Sequence, residues 1–136
     1  MRTRVGYCGG AVPSPTYRKV CNDASFADYA ETISVEFDPS ILSYDDLLDA
    51  FYRAHDSATG GRSRQYASII FCHNNDQRKS AEAKLRASDS TLIEEAPEYF
   101  WDAEPYHQKW CALATFLIWQ AAPVQVLPLP KMAAPS

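Results

Sequence analysis

Residues 30–37, AETISVEF, alternate along their length, and that pattern is a strand with one face to bury. Positions 31, 33, 35 and 37 share a face that reads Glu, Ile, Val, Phe; Thr32, Ser34 and Glu36 share the other, which suits solvent. Asp38-Pro39-Ser40 ends the run. Ser43 then stands as an N-cap, with Asp46 three residues on in a capping-box-like position. Tyr44, Leu47, Leu48 and Phe51 follow at helical spacing, so 44–54 is a helix with one apolar face. A one-faced strand and a one-faced helix bury their apolar sides together, which is a layered arrangement.

The rest of the chain extends the same grammar. Residues 2–7 read as a strand ending at the Gly9-Gly10 turn. Residues 11–28 read as loop, with Val12-Pro13-Ser14-Pro15 extended and Asn22-Asp23-Ala24-Ser25 as turn chemistry. Residues 55–64 are a loop marked by Gly60-Gly61, and 66–72, YASIIFC, a strand that begins at Tyr66. Asn74-Asn75 caps a helix over 76–88, and 91–95 is a short strand. The aromatic stretch 99–110 ends in a short helix around Pro105–Trp110. This order predicts a two-layer α+β sandwich. At 136 residues the chain fits one domain, over 1–110, with 111–136 as an apolar, proline-containing tail. No charge lies between Lys109 and Lys131, but Gln120, Pro123, Gln125, Pro128 and Pro130 interrupt the stretch. The unbroken part, Cys111 to Trp119, is too short to span a bilayer, so a membrane role is not expected.

Composition narrows the function classes. Hydrophobic residues at 46% and charged residues at 22% are those of a soluble globular protein. Lys+Arg 13 against Asp+Glu 17 gives −4, so no basic field draws in nucleic-acid phosphates. Cys8, Cys21, Cys72 and Cys111 are widely spaced with no C-x-x-C, which argues against a disulfide framework and a tetrahedral metal site alike. Free thiols in a reducing compartment, the cytoplasm, are the expectation, and Met1-Arg2-Thr3-Arg4-Val5 contains no apolar signal region.

Glu31 is the most informative residue. It puts a carboxylate on the apolar face at the start of the strand, where desolvation raises its pKa and keeps a proton ready to donate; the alternative is that the strand has left the core by residue 31 and the carboxylate is wet. Tyr17, in a loop, and Tyr66, after one, are phenols able to donate to a ligand oxygen or to serve as rim tyrosines. Cys8 and Cys21 lie in loops, Cys21 just after Arg18-Lys19, whose charges favour a thiolate; the alternative for each is a buried or idle thiol. Cys72 reads as core and Cys111 as inert; His55 suits a helix end, and His107 links the terminal segment to the sheet.

The segments TRVGYCGGAVPSPTYRKVC, YAETISVEFDPSILSYDDLLDAFYRAHD, SRQYASIIFCHNNDQ and FWDAEPYHQKW, in that order, resemble peptide-methionine (S)-S-oxide reductases of the A type, from about Thr3 to Trp110. The resemblance implies an α+β sandwich with a mixed sheet and flanking helices. It implies attack of a cysteine thiolate on the sulfur of methionine sulfoxide, free or in oxidised proteins. The resulting sulfenic acid is resolved by a second thiol and reduced by thioredoxin or another dithiol, with no bound cofactor. It maps oxygen binding onto Tyr17 and Tyr66 and the acid onto Glu31. The family's Gly-Cys-Phe-Trp motif does not occur in these 136 residues. The domain is therefore expected to be N-terminally incomplete, short of its first strand and helix, and marginal on its own. The readings open at this point are a reductase whose nucleophile lies outside this sequence, a non-catalytic binder of oxidised methionine, a rewired reductase using Cys8 or Cys21, and, of another class, an interaction protein anchored through the 111–136 tail.

Overall fold

In the computed structural model, the described residues are 2–54, 56–58 and 63–108, together with the backbone of 126–128. In chain order the elements are β1 (Arg2–Cys8), α1 (Tyr17–Asn22), β2 (Ala30–Glu36), α2 (Tyr44–Ala54), β3 (Ile69–Cys72), α3 (Asn75–Lys84), β4 (Leu92–Glu95), β5 (Phe100–Asp102) and β6 (Val126–Pro128). β1 and β2 run antiparallel over their full length, from Arg2 opposite Glu36 to Cys8 opposite Ala30. β5 pairs antiparallel with the other edge of β1, and β6 pairs parallel with β2, so the sheet order is β5-β1-β2-β6 and the sheet is mixed. β3 and β4 form a parallel pair joined through α3. This is the α+β sandwich with flanking helices that the sequence predicts. Of the 111–136 tail, only 126–128 fall among the described residues; Cys111 and His55 lie outside them.

α2 starts where the capping box puts it. The Asp46 N–H donates to Ser43 Oγ at 3.0 Å and the Ser43 N–H to Asp46 Oδ2 at 3.4 Å. Its apolar face, Leu47, Leu48 and Phe51, packs with Val35 of β2, Ile70 and Cys72 of β3 and Ala81 of α3. That cluster joins the two strand groups to the helical layer. Asn74 caps α3, its side chain accepting from the Gln77 N–H at 2.9 Å.

Four expectations are corrected. The 11–28 segment is not all loop: Thr16 Oγ1 accepts from the Lys19 N–H at 3.2 Å and starts α1, and the 22–25 turn chemistry links it to a 3₁₀ turn over Ala24–Phe26. Tyr66 does not begin a strand. It ends a 3₁₀ turn, Arg64–Tyr66, because Arg64 reaches away to grip Glu94 at 2.5 and 2.8 Å and the Asp28 carbonyl at 3.2 Å. α3 stops at Lys84, not 88, because the Asp89 carboxylate captures the Arg86 N–H at 2.8 Å and its guanidinium at 3.0 Å, folding the chain back. Finally, the Thr32 and Ser34 face of β2 is buried, not solvated. The side carrying Ala30 meets Cys8, Ile69, Phe71, Ala96 and Phe100 in a second apolar cluster, and Thr32 Oγ1 turns inward to donate to the Ala30 carbonyl at 3.0 Å.

A third cluster, Tyr7, Val20, Phe26, Tyr29 and Ala103, packs α1 and its following turn onto the opposite face of β1. On the Cys8 side of β1, Gly6 permits the close approach of β5, since a Cβ at that position would enter the Trp101 carbonyl and the Phe100 ring.

The cap on α2 gives a direct test. Ser43→Ala removes the acceptor for the Asp46 N–H and should cost about 1 kcal/mol, read as a lower urea midpoint with an unchanged slope. An unchanged midpoint would mean that the helix start is held by packing alone.

Candidate active site

The register of β1 and β2 sets Tyr7 directly opposite Glu31, on the same side of the sheet. Other segments bring side chains to that pair. α1 contributes Tyr17 and Cys21, the 64–66 turn contributes Gln65 and Tyr66, and the corner after β5 contributes Ala103, Glu104 and His107. Val5, Tyr7, Tyr17, Glu31, Tyr66, Ala103 and His107 line a hollow of about 160 Å³. A roomier cleft of about 450 Å³ lies among Gly9, Gly10, Tyr29, Pro97, Tyr99 and Trp101, with Glu98 the one charged side chain among its described lining residues, whereas the carboxyl, phenol and imidazole groups converge on the smaller hollow.

Glu31 is half-buried, and Gln65 Nε2 donates to its Oε1 at 2.9 Å. Burial pushes its carboxyl above the usual carboxylate range. The Gln65 hydrogen bond and the nearby His107 work against the shift, and the Glu104 carboxylate adds to it. Glu31 is thus partly desolvated, on the side of β2 that carries Ile33 and Val35.

Tyr17 and Tyr66 both reach the hollow with their rings part-exposed. The Tyr17 phenol is raised first by its hydrogen bond with Cys21 and the charge of that thiol, then by burial. The Tyr66 phenol is raised by burial first, then by the charges of Glu31, Cys21 and Tyr17. Two phenols that keep their protons, beside a carboxyl that resists losing its own, are hydrogen-bond donors facing one small space. Such a set suits a strongly accepting oxygen that ends up protonated.

The two candidate thiols part company. Cys21 is exposed on α1, and Gln65 Nε2, the same nitrogen that holds Glu31, donates to its Sγ at 3.3 Å. Cys8 is the last residue of β1 and not a loop residue; it faces away from Tyr7, is fully buried against Phe71 and Phe100, and desolvation pushes its thiol up to about 12. Sequence reasoning did not find the roles of Gln65, Tyr7 and Glu104. The alternation of Val5 and Tyr7 along β1 was the one available signal, for Tyr7.

A family model described as peptide methionine sulfoxide reductase matches residues 1–121. The chain belongs to the peptide methionine sulfoxide reductase family. It is 41% identical over 122 residues to the peptide methionine sulfoxide reductase MsrA of Methanothermobacter thermautotrophicus, covering 79% of this chain and 70% of that protein. It is 40% identical over 114 residues to the MsrA of Haloquadratum walsbyi, covering 76% and 64%. With the Drosophila melanogaster enzyme it shares 38% over 118 residues, covering 81% and 46%. The crystal structure of Mxr1 from Saccharomyces cerevisiae in reduced form superposes with a TM-score of 0.63 at 27% identity, covering 84% of this chain and 71% of that one. The chain thus spans between about half and 70% of the length of these relatives. Among the described residues, no helix is long and apolar enough to cross a membrane, and no group of three or more His, Cys, Asp or Glu side chains is placed to hold a metal ion.

Two predictions follow from this geometry. Because the folded Glu31 carboxyl binds its proton more tightly than in the unfolded chain, the stability it lends is full below the ordinary value of 4.5 and is lost as pH rises through the higher folded value. Glu31→Gln should match the parent near pH 4 and exceed it in unfolding free energy near pH 8; a variant less stable at pH 8 would overturn the desolvation reading. In the native protein, iodoacetamide should label Cys21 well before Cys8 and Cys72, read by peptide mass spectrometry, because only Cys21 of the three is exposed.

Proposed function

We propose that this chain takes methionine S-sulfoxide, free or in oxidised proteins, into the hollow at Glu31 and serves its thiol-dependent reduction to methionine. The observation that carries the reading is the desolvated Glu31 carboxyl facing the same small space as the Tyr17 and Tyr66 phenols. The two phenols hold the sulfoxide oxygen and Glu31 gives it a proton as a thiolate attacks the sulfur. The S–O bond breaks, methionine leaves, and the thiol becomes a sulfenic acid. Two further thiol equivalents, from thioredoxin or another dithiol, return it to the thiol with loss of water, and no bound cofactor takes part.

In this reading the attacking thiol comes from outside the described residues. A second reading assigns it to Cys21, which Gln65 links to Glu31 through one nitrogen and whose thiol influences the Tyr17 phenol. Cys8 drops out because its sulfur lies buried on the other side of the sheet. The free thiols of Cys8, Cys21 and Cys72 support a reducing compartment, by this reading the cytoplasm.

The test is titration calorimetry with the separated S and R epimers of methionine sulfoxide, alongside methionine release in the presence of dithiothreitol. The S epimer should bind, and Tyr17→Phe, Tyr66→Phe and Glu31→Gln should each weaken it by about 2- to 10-fold, the range of one lost hydrogen bond. Methionine release that disappears in Cys21→Ser assigns the thiol to Cys21. Binding without release leaves the chain a binder that needs a thiol from elsewhere. Absence of binding to either epimer would overturn the reading.

A further inference from the structure

The Tyr17 ring serves the site, yet α1 is six residues long, too short to fix its own position. Its first turn leaves backbone N–H groups without acceptors inside the helix. Thr16, the N-cap, takes care of one, its Oγ1 accepting from the Lys19 N–H at 3.2 Å, while its carbonyl accepts the first bond of the helix itself, from the Val20 N–H at 2.9 Å. The N–H of Tyr17 is taken by Glu104 Oε1 at 2.9 Å, from 87 residues further along the chain. The other oxygen of the same carboxylate accepts from the Tyr7 phenol at 3.1 Å. His107 Nε2 stands 3.6 Å from it, and the His107 ring lies 5.0 Å from the Tyr17 ring.

Glu104 is itself anchored. The Gln108 side chain accepts from the Val5 N–H at 2.9 Å and donates to the carbonyls of Val5 at 2.7 Å and Ala103 at 3.0 Å, and the Ala103 N–H donates to the Val5 carbonyl at 2.9 Å. The corner at 103–108 is thereby stapled to β1, and Glu104 extends from that staple to α1. We propose that Glu104 is a positioning residue of this site, setting the Tyr17 phenol over Glu31 by holding the first backbone N–H of α1. This rests on the function proposed above. Glu104 does not line the hollow, so it acts through Tyr17 and Tyr7. Its charge also opposes ionisation of Glu31, which is otherwise faced by Tyr7 from β1, Tyr17 and Cys21 from α1, Gln65 and Tyr66 from the 64–66 turn, and His107.

The experiment uses the full chain with Glu104→Gln, Glu104→Ala and Tyr7→Phe, read by calorimetry with methionine S-sulfoxide and by NMR of ring-labelled Tyr17 and side-chain-labelled Glu31. Glu104→Gln keeps an oxygen for the Tyr17 N–H, so affinity should stay within about twofold while Glu31 titrates at lower pH than in the parent. Glu104→Ala should shift the Tyr17 ring signals and cost up to about tenfold in affinity, and adding Tyr17→Phe should then cost little more. Additive losses in that double variant, or unmoved Tyr17 signals in Glu104→Ala, would overturn the proposal. If Glu104→Ala fails to fold, Glu104→Gln together with Tyr7→Phe decides: affinity loss in Glu104→Gln with no change in the Glu31 titration would overturn it. If the parent binds no methionine sulfoxide, the function fails, and the Tyr17 ring signals of the unliganded Glu104→Ala protein still decide whether Glu104 positions that ring.

Discussion

The antiparallel ladder between β1 and β2 sets what every other part of the molecule can reach. Its register puts Tyr7 across from Glu31 on one side and Cys8 across from Ala30 on the other. Side chains alternate with a period of two, so a slip by one residue would send Glu31 to the apolar cluster around Phe71 and bring Ala30 or Thr32 to the hollow. Apolar clusters on both sides resist such a slip, since each would lose its own members. The placement of one acid thus depends on packing along the whole strand.

The acid in turn takes its character from what surrounds it. A carboxyl that faces an amide donor and a small, part-closed hollow has little to replace water, and that is why it lies above the ordinary carboxylate range. The contrast with Glu94 is instructive. Its carboxylate is gripped at both oxygens by the Arg64 guanidinium, and that hydrogen-bonded pairing holds it below the ordinary range. Two glutamates in one small fold end up with opposite tendencies because one faces a guanidinium and the other faces phenols and an amide.

What was legible in the sequence was what local chemistry decides. Ser43 and Asp46 announce α2, Asn74 announces α3, and alternation alone puts Glu31 on the side of Ile33 and Val35. What was not legible depends on residues distant in the chain. Thr32 and Ser34 look solvated until Ile69, Phe71 and Phe100 arrive to close their side of the sheet. Tyr66 reads as strand until Arg64 turns toward Glu94 and Asp28. α1 has the Thr16 cap but no apolar periodicity, and its position comes from Glu104, which no local pattern marks. The resemblance names Tyr17, Tyr66 and Glu31, and the fold brings those three to one hollow while leaving Cys8 on the far side.

The pairing of β1 with β5 has a consequence for the protein's birth. The Arg4–Asp102 ion pair joins residues 98 positions apart, and the Val5–Gln108 bonds join residues 103 apart. At ribosomal rates of about 5–20 residues per second, β1 emerges roughly 5–20 s before the segment that covers its outer edge. During that interval a nascent chain presents an unpaired strand edge, the kind of surface that recruits other chains or the chaperones that shield it. The hollow at Glu31, walled by Val5 and Tyr7 from β1 and by Ala103 and His107 from the segment after β5, exists only once that covering segment has docked.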